Sequence, residues 1–419
     1  MVGCGKRLVL EEILTEKQIL HILNQAIGGD GTCQLVKSEI RPAMDGIAGF
    51  LGDHLKGVLD VDVQGEQKKV YLFLKRISAS NKPKAEFIDK HNFYRREMLM
   101  YRVLDDIRDD DSNPWCVRAY IYTDSIIVMP DLTVAGYTSR HFLDTLDYEH
   151  FYLTMTSIAR FHAAFINYET KKSVDLKRPY STFQEFSQIL QEPTFCESPF
   201  LKAAAKLSTN LLKAFSTKFY SNRIGLESEL NEFYLKACDS MKEYKGSANV
   251  LLHRDLWVNN IMFKYEKDVP INAVLVDFQC LRYGPPAFDL MVFMYLTTDR
   301  KFRQEHTTDV LNHYFSVFEQ NLNGDSKKRL EDLGYDKEDF LKWCDKGRMF
   351  GMFAAIGIYP FILMDPKTAQ ETFDDPKTYD KYINFDRSEP VLAFAAKCKV
   401  YKDRNLEVTE EFVERYVLS

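Results

Sequence analysis

The chain lacks the features that mark several large classes of protein. Its eight cysteines are scattered singly and form no Cys-x-x-Cys pair, which argues against a zinc centre and against a disulfide framework. Its formal net charge is −6, so it has no overall basic footprint of the kind that nucleic-acid binding requires. We therefore expect reduced thiols, a cytoplasmic location and no nucleic-acid partner.

Long apolar runs are also absent. The longest lies near residues 350–364 and is shorter than the roughly 20 residues that a membrane-spanning helix needs. Glu11 and Glu12 come too early for a secretory signal, and Gly3 is not at the position of a myristoylated glycine. We expect no membrane association, and no obligate protein partner is indicated.

What is present is a globular composition in a chain that is too long for one ordinary core. Of its 419 residues, 45% are hydrophobic and 28% are charged, and this length favours two domains or two lobes. Strand patterns concentrate before Pro130, and helical patterns dominate from Tyr148 onward. We predict an α+β fold with a small β-rich N-lobe, residues 1–131, and a larger, mostly helical C-lobe, residues 132–419.

The N-lobe pattern is consistent with a scaffold for a nucleotide. Glycines 46, 49 and 52 precede predicted strands at 58–63 and 70–77, and two strands over such a loop are able to cover phosphates. The spacing of the glycines is irregular, so an ordinary turn is an equal alternative. Three further elements are predicted: a helix that begins with the capping box Thr15–Gln18, a helix over 85–104, and a strand over 125–129 that Pro130 ends.

The most informative segment is His253–Asn260, which matches the pattern His-Arg-Asp-Leu-x-x-x-Asn. Asp255 is expected to orient the substrate hydroxyl and to accept its proton. Asn260 follows five residues later and is expected to ligate Mg²⁺ through its amide oxygen. The alternative is that Asp255 caps a turn and Asn260 is an ordinary loop residue.

A second carboxylate makes that alternative less plausible. Asp277 ends the apolar run 273–276, and a carboxylate at the end of a buried strand is unfavourable unless it is paired or binds a metal. Mg²⁺ prefers such oxygen ligands together with phosphate oxygens. Together, Asp255, Asn260 and Asp277 predict phosphoryl transfer from ATP, where positioning and charge neutralisation supply most of the catalysis.

Two charged residues of the N-lobe lie on apolar faces and need each other. Strand alternation puts Lys75 on one face with Tyr71 and Phe73, and helical spacing puts Glu97 on an aromatic face. An ion pair between Lys75 and Glu97 would satisfy both charges and would direct the ammonium to the α- and β-phosphates of ATP. The alternative is that Lys75 extends to solvent beside Arg76.

Four segments together resemble the ecdysteroid kinase-like family, which is abundant in insects and is related to choline kinases and aminoglycoside phosphotransferases. The segment 252–263 is the most specific, with its run Asp-Leu-Trp-Val-Asn-Asn-Ile-Met-Phe. The other matching segments are 93–101, 158–164 and 276–279 with 283–290. The resemblance covers nearly the whole chain. It implies a protein-kinase-like two-lobed fold and ATP-dependent phosphorylation of a hydroxyl on a small lipophilic molecule, with ecdysteroids as the named substrates.

The resemblance also implies roles for individual residues. Asp255 would be the catalytic residue, Asn260 and Asp277 would hold Mg²⁺, and Lys75 with Glu97 would bind the nucleotide. Asp289 would hold the catalytic loop from the start of a helix.

The hinge between the lobes would contact the adenine of ATP. The candidates are Met129, Asp131 and Leu132. Pro130 stands where the family usually has glutamate and has no backbone N–H, so we expect the contact at a neighbour such as Leu132.

Arg254 stands where the family commonly has glycine, and it makes the motif resemble that of a protein kinase. Protein kinases, however, carry Asp-Phe-Gly and then an activation loop with Ala-Pro-Glu. Here Gln279 replaces that glycine, Ala-Pro-Glu is absent, and Asp289 follows Asp277 after only twelve residues. We therefore exclude a protein kinase.

The acceptor is the least predictable feature. Residues 350–361 form a nearly all-round apolar helix, which is either one wall of a steroid-sized pocket or, as its small residues favour, a core helix. His162 is expected to be a structural histidine under the catalytic loop. Two alternatives to an ecdysteroid or xenobiotic kinase stay open: a choline- or aminoglycoside-type kinase for a cationic alcohol, and a catalytically silent binding protein.

Overall fold

The computed structural model of this protein describes residues 9–28, 33–43, 52–77, 82–107, 113–192, 195–241, 244, 247–373, 375 and 377–419. The chain divides into two compact units, Met1–Asp105 with Val117–Thr138, and Asp106–Cys116 with Ser139–Ser419. The first contains a small antiparallel sheet and the second is mostly helical. The predicted α+β architecture is therefore confirmed.

The first unit is built on a five-stranded antiparallel sheet with the order β1-β2-β3-β5-β4. A short 3₁₀ turn, Leu10–Glu12, precedes its first helix. Its described elements are α1 Glu16–Ile27, β1 Cys33–Pro42, β2 Asp53–Val63, β3 Glu66–Arg76, α2 Lys82–Lys90, α3 Phe93–Asp106, β4 Ile121–Tyr122, β5 Ile126–Pro130 and β6 Tyr137–Thr138.

Alternation along the strands of this sheet separates a core face from a second face. On β3, Val70, Leu72 and Leu74 are buried in one cluster with α1, which begins with the predicted capping box. Tyr71 and Lys75 therefore lie on the opposite face. The sheet thus places a lysine where it can meet a partner outside the apolar cluster.

Two predictions for this unit need correction or a limit. The helix predicted over 85–104 is two helices, because Asn92 has a φ of 57° and breaks the run between α2 and α3. Glycines 46 and 49 lie outside the described residues. Gly52 precedes β2 with a φ of 107°, and a Cβ there would lie 2.6 Å from the Tyr94 hydroxyl and 2.8 Å from the Arg76 carbonyl oxygen. Only glycine fits that position.

The described residues of the second unit are helical apart from four short strands, the turns and the connecting segments. A 3₁₀ turn, Val258–Asn260, follows β7, another, Phe278–Cys280, follows β9, and a π-helical turn, Val413–Val417, follows the last helix. Its elements are α4 Tyr148–Leu176, α5 Thr182–Leu190, α6 Pro199–Phe215, α7 Leu226–Asp239, β7 Val250–Leu252, β8 Ile261–Glu266, β9 Val269–Leu275, β10 Arg282–Gly284, α8 Ala287–Thr297, α9 Arg300–Asn321, α10 Gly324–Asp332, α11 Lys337–Ile362, α12 Pro366–Phe373, α13 Tyr379–Asn384, α14 Ser388–Ala395 and α15 Lys399–Phe412.

Helices α8 and α11 form the centre of this unit. Every residue of α8 is buried, and the segment of α11 from Phe350 to Ala355 is buried as well. Gly351 lets the two helices approach closely, because a Cβ there would lie 2.5 Å from the Met291 carbonyl oxygen. The apolar helix predicted at 350–361 is therefore a core helix.

In the described part of the chain, no single helix is both long and apolar enough to cross a membrane. Helices α11 and α12 together reach the required length and composition, with a bend of 94° between them.

The close contact of α8 and α11 yields a stability prediction. Gly351→Ala should lower the free energy of unfolding by about 1–3 kcal/mol, because the new methyl group meets backbone atoms of Met291 that cannot rotate away. The matched control is Gly324→Ala, where a Cβ meets nothing within 4 Å and the change should be within about 0.5 kcal/mol. Urea unfolding of the three proteins measures both values. Equal midpoints for Gly351→Ala and the control would contradict the prediction.

Candidate active site

Lys75 and Glu97 form a buried ion pair in the first unit. The Lys75 Nζ lies 2.6 Å from Glu97 Oε2, and the side chains are 3% and 1% exposed. The ammonium also lies 5.7 Å from the centroid of the Tyr94 ring. The predicted pair between β3 and α3 is therefore present, and Lys75 does not extend to solvent.

Of the predicted hinge residues, Met129 lies in β5, which pairs with β3, and Asp131 and Leu132 follow that strand. Met129 lies opposite Phe73 in the register, and the Tyr101 hydroxyl approaches its sulfur at 4.0 Å. The Asp131 backbone N–H donates to the Tyr71 carbonyl at 3.1 Å, which extends the strand pairing beyond Pro130. Among the hydrogen bonds of the described residues, none engages the Leu132 backbone N–H. That N–H is the first donor after Pro130 that is left for a ligand.

The Asp131 carboxylate is engaged within the hinge. It lies 2.8 Å from the Lys56 ammonium, and it accepts from the Thr133 backbone N–H at 3.0 Å and from the Thr133 hydroxyl at 2.7 Å. Burial opposes ionisation, but the hydrogen bonds from Lys56 and Thr133 hold the pKa of Asp131 below its ordinary value. The sequence reasoning missed Lys56, although strand alternation puts it on the face of Lys75.

The candidate catalytic loop, residues 253–260, lies in the second unit and is held by the carboxylate of Asp289. Its Oδ2 accepts from the His253 backbone N–H at 2.6 Å, and its Oδ1 accepts from the Arg254 backbone N–H at 2.7 Å. Asp289 lies in the first turn of α8, where the helix dipole favours a negative charge. The predicted role of Asp289 in holding the loop agrees with these two bonds.

His162 completes the surroundings of this carboxylate. Its Nε2 lies 3.2 Å from Asp289 Oδ2, and its Nδ1 lies 2.7 Å from the Tyr314 hydroxyl. An ionised carboxylate only accepts hydrogen bonds, so Nε2 donates and Nδ1 accepts from the tyrosine. His162 is fully buried, and it is the satisfied structural histidine that the sequence predicts.

The His253 ring ties the loop to the strand end that carries Asp277. Its Nε2 donates to the Val276 carbonyl at 3.0 Å, and its Nδ1 accepts from the Asp255 N–H at 3.4 Å. Burial lowers the pKa of His253, although the charges of Asp289 and Asp277 act in the opposite direction. The neutral ring with its proton on Nε2 fits both contacts, so one imidazole positions both sides of the site.

Asp255 and Asn260 are joined directly. The Asn260 side-chain amide donates to the Asp255 carbonyl at 2.8 Å and to Asp255 Oδ2 at 3.1 Å. Since both partners are acceptors, the Nδ2 group faces Asp255 and the amide oxygen Oδ1 remains for a cation. The Asn260 carbonyl accepts from the Val276 N–H at 3.0 Å. Asp277 directly follows Val276, so this bond joins the backbone of Asn260 to the residue before Asp277.

Asp277 has a φ of 67° and starts the turn Phe278–Cys280 after β9. The structure therefore brings Asp255, Asn260 and Asp277 onto two adjoining backbone segments of the second unit. Lys75, Glu97 and the hinge residues belong to the first unit. The described residues contain no cluster of three or more His, Cys, Asp or Glu side chains that could hold a metal by itself. A pair such as Asn260 and Asp277 fits Mg²⁺, which takes its remaining ligands from phosphates and water.

A sequence model of the ecdysteroid kinase-like family matches residues 50–324. No match was found among curated proteins. Several solved structures are similar at low identity, and three of them represent the group. The streptomycin–ATP complex of APH(2")-IIa is 16% identical with a TM-score of 0.34 and covers 80% of this chain and 98% of its own. Choline kinase LicA from Streptococcus pneumoniae is 13% identical with a TM-score of 0.36 and covers 83% and 98%. The microcompartment-associated aminopropanol kinase is 11% identical with a TM-score of 0.33 and covers 87% and 98%.

The ion pair of the first unit yields a second prediction. Lys75→Met should destabilise the protein by about 3–5 kcal/mol, because Glu97 stays buried without this cation. The double variant Lys75→Met with Glu97→Leu should recover part of that loss, since both charges are then removed. Thermal unfolding of Lys75→Met, Glu97→Leu and the double variant measures the difference. A double variant that is as unstable as the sum of the two single variants would show that the pairing is not the source.

The bonds of Asp289 yield a third prediction. Asp289→Asn puts an amide NH₂ where one backbone N–H now donates, so the buried catalytic loop loses an acceptor and the protein loses about 1–3 kcal/mol. Hydrogen exchange at His253 and Arg254 should become faster. Asp299→Asn is the matched control. Among the described residues Asp299 accepts the N-cap bond of α9 from Phe302, and asparagine caps equally well. Unchanged exchange in Asp289→Asn would refute the role of these bonds.

Proposed function

The chain belongs to the ecdysteroid kinase-like family, and we propose that it uses ATP and Mg²⁺ to phosphorylate a hydroxyl group of a small lipophilic alcohol, such as an ecdysteroid or a xenobiotic. The observation that carries the proposal is the direct hydrogen bond between Asp255 and Asn260 in a loop that Asp289 holds from the first turn of α8. A loop so constrained presents one proton acceptor and one metal ligand in a fixed relation.

Asp255 is the catalytic residue of this proposal. Its carboxylate would accept the proton of the acceptor hydroxyl as that oxygen bonds to the γ-phosphorus of ATP. The bond from the γ-phosphorus to the β-phosphate oxygen would break, and ADP would leave. The Asn260 amide, which donates to Asp255 Oδ2, keeps the carboxylate in one orientation. General-base assistance of this kind contributes roughly 10²- to 10⁴-fold to the rate.

Asn260 and Asp277 would hold the metal through oxygen atoms. Mg²⁺, when bound, neutralises the negative charge of the phosphates during transfer. The fit rests on the chemistry of the donors: the Asn260 Nδ2 is already engaged with Asp255, so its amide oxygen is the group left for a hard cation. This supports Mg²⁺ rather than a metal that needs nitrogen or sulfur ligands.

Lys75 and the hinge would bind the nucleotide. The Glu97 carboxylate holds the Lys75 ammonium in one place, so its charge is available to the α- and β-phosphates at little entropic cost. The Leu132 N–H is the proposed donor to the adenine ring. Met129 would contact the adenine ring. The Asp131 carboxylate is already bonded to Lys56 and Thr133, so Asp131 would hold the backbone of the hinge and would not contact the nucleotide through its side chain.

The proposal predicts which variants lose transfer and which lose binding. Asp255→Asn should lower the rate of transfer by roughly 10²- to 10⁴-fold, since the amide is a poor base, and should leave stabilisation by Mg-ATP intact. Asp277→Asn should weaken that stabilisation, because a metal ligand loses its charge. Asp332→Asn, an exposed aspartate on α10, is the control and should match wild type in both assays. Thermal shift with Mg-ATP and the rate of phosphate-ester formation, followed by mass spectrometry, are the measurements.

The acceptor is identified by a panel in the same assay. Ecdysteroids and other neutral lipophilic alcohols are tested beside choline and an aminoglycoside, and the mass of each product confirms a phosphate ester. Transfer only to the cationic alcohols would replace the proposed acceptor class with the choline or aminoglycoside type. ATP stabilisation without transfer to any acceptor would make the protein a nucleotide-binding protein without this activity.

A further inference from the structure

The side chain of Arg254 occupies a buried site beside the catalytic base. Arg254 is only 6% exposed, and its guanidinium lies 4.3 Å from the ring centroid of Phe195 and 5.2 Å from that of Phe350. One of its terminal nitrogens lies 3.4 Å from Glu192 Oε2. Charged groups are buried in this way only when they are paired, so the site is specific for a cation.

The backbone at Arg254 is strained. Its φ is 71°, in the left-handed region that favours glycine and that is unfavourable for a side chain with a Cβ. Such conformations persist when the surrounding structure fixes them, and they concentrate at functional sites. Here the Asp289 carboxylate fixes the N–H of Arg254, and the contacts of the guanidinium fix its side chain.

Glu192 connects this arginine to a second one. Its Oε2 also lies 3.3 Å from Arg282 Nε, and its Oε1 accepts from the Phe195 backbone N–H at 2.9 Å. Arg282 donates to the Leu190 carbonyl at the end of α5. We call Gln191 and Glu192 the turn after α5. Through Glu192 this turn is bound both to the catalytic loop and to β10.

Both arginines flank the residues that lead into the catalytic loop. Arg282 lies opposite Leu252 in the pairing of β10 with β7, and Leu252 directly precedes His253. Arg254 directly precedes Asp255. A shift of the turn after α5 would therefore reach the proposed base, Asp255, by two routes. One runs through Arg282 and Leu252, before His253, and the other through Arg254, after His253.

We propose that Arg254 and Glu192 are positioning residues, which hold Asp255 in its working orientation through the buried ion pair between the catalytic loop and the turn after α5. This rests on the proposed function, since Asp255 is the base of that reaction. The pair would act through Asp255, which directly follows Arg254 in the chain.

Arg254→Gly is the principal test, because glycine adopts a φ of 71° without strain and removes only the side chain. The rate of transfer at saturating substrate should fall roughly 10- to 100-fold, as small misplacements of a catalytic group do, whereas the dissociation constant of Mg-ATP should not change. Arg254→Lys, which keeps the cation, should restore part of the rate.

Glu192→Gln tests the other half of the pair without altering the catalytic loop. It should lower the rate in the same way, and the double variant with Arg254→Gly should be no slower than the slower single variant, because either change already breaks the pair. In both single variants, hydrogen exchange across residues 252–258 should be faster than in wild type. In Glu192→Gln, faster exchange cannot come from a new glycine.

Arg387→Gly is the matched control. Arg387 is also fully buried, and its guanidinium lies 4.5 Å from the Phe200 ring centroid and 5.1 Å from that of Phe361, but it bonds to the carbonyls of Tyr382 and Ile383 at the end of α13. It occupies an N-cap position, which tolerates glycine. This variant should lose thermal stability while keeping the transfer rate and the exchange of 252–258.

The outcomes separate this proposal from the proposed function. A wild-type rate in Arg254→Gly, or an equal loss of rate in Arg387→Gly, would reduce Arg254 to a core residue and overturn the positioning role. If wild type transfers phosphate to no acceptor, the proposed function fails and hydrogen exchange decides alone. Faster exchange of 252–258 in Glu192→Gln but not in Arg387→Gly would then support the positioning role, and equal exchange in the two would refute it.

Discussion

The buried carboxylate of Asp289 is the constraint on which the second unit depends. A carboxylate without solvent is strongly unfavourable unless donors surround it, and here two backbone N–H groups of the catalytic loop and the His162 ring supply them. Because α8 is buried along its whole length, the carboxylate has no alternative partner in water. The loop must therefore adopt the conformation that points these two N–H groups at α8. The close packing of α8 on α11 at Gly351 fixes the position of α8, and therefore the position of the Asp289 carboxylate.

The first unit solves a related problem with a different pair. Lys75 and Glu97 are both almost completely buried, and each would be unfavourable without the other. Replacing such a pair by apolar side chains is often neutral or stabilising, so stability alone is a weak reason for its presence. The proposed binding of ATP phosphates by the fixed Lys75 ammonium would supply a second reason. In each unit a buried carboxylate thus fixes one functional group. Glu97 on α3 fixes the Lys75 ammonium, and Asp289 on α8 fixes the loop that carries Asp255.

The sequence predicts those features that have a local signature. The α+β class, the first helix, and the strand that carries Lys75 follow from periodicity and capping, and Asp255 and Asn260 follow from the spacing within one loop. The break at Asn92 was missed because a left-handed asparagine leaves the apolar pattern on both sides intact. The pairs Lys56–Asp131 and Arg254–Glu192 join residues that are 75 and 62 positions apart. No spacing rule of helices or strands connects such positions, so only the folded chain reveals them.

Positive φ values at two residues of the site point to the same physical origin. Arg254 and Asp277 both lie in the left-handed region, at 71° and 67°, and neither is a glycine. Each conformation is costly by about 1–3 kcal/mol for such residues and must be imposed by neighbours. For Arg254 the neighbour is Asp289. For Asp277 the neighbours act on Val276, whose N–H donates to the Asn260 carbonyl and whose carbonyl accepts from the His253 ring. His253 touches both systems. The two strained positions are therefore linked through His253, which bonds to Asp289, to the Asp255 N–H and to the Val276 carbonyl. Such a link between the proposed base and the proposed metal ligand suits a transfer reaction that relies on positioning.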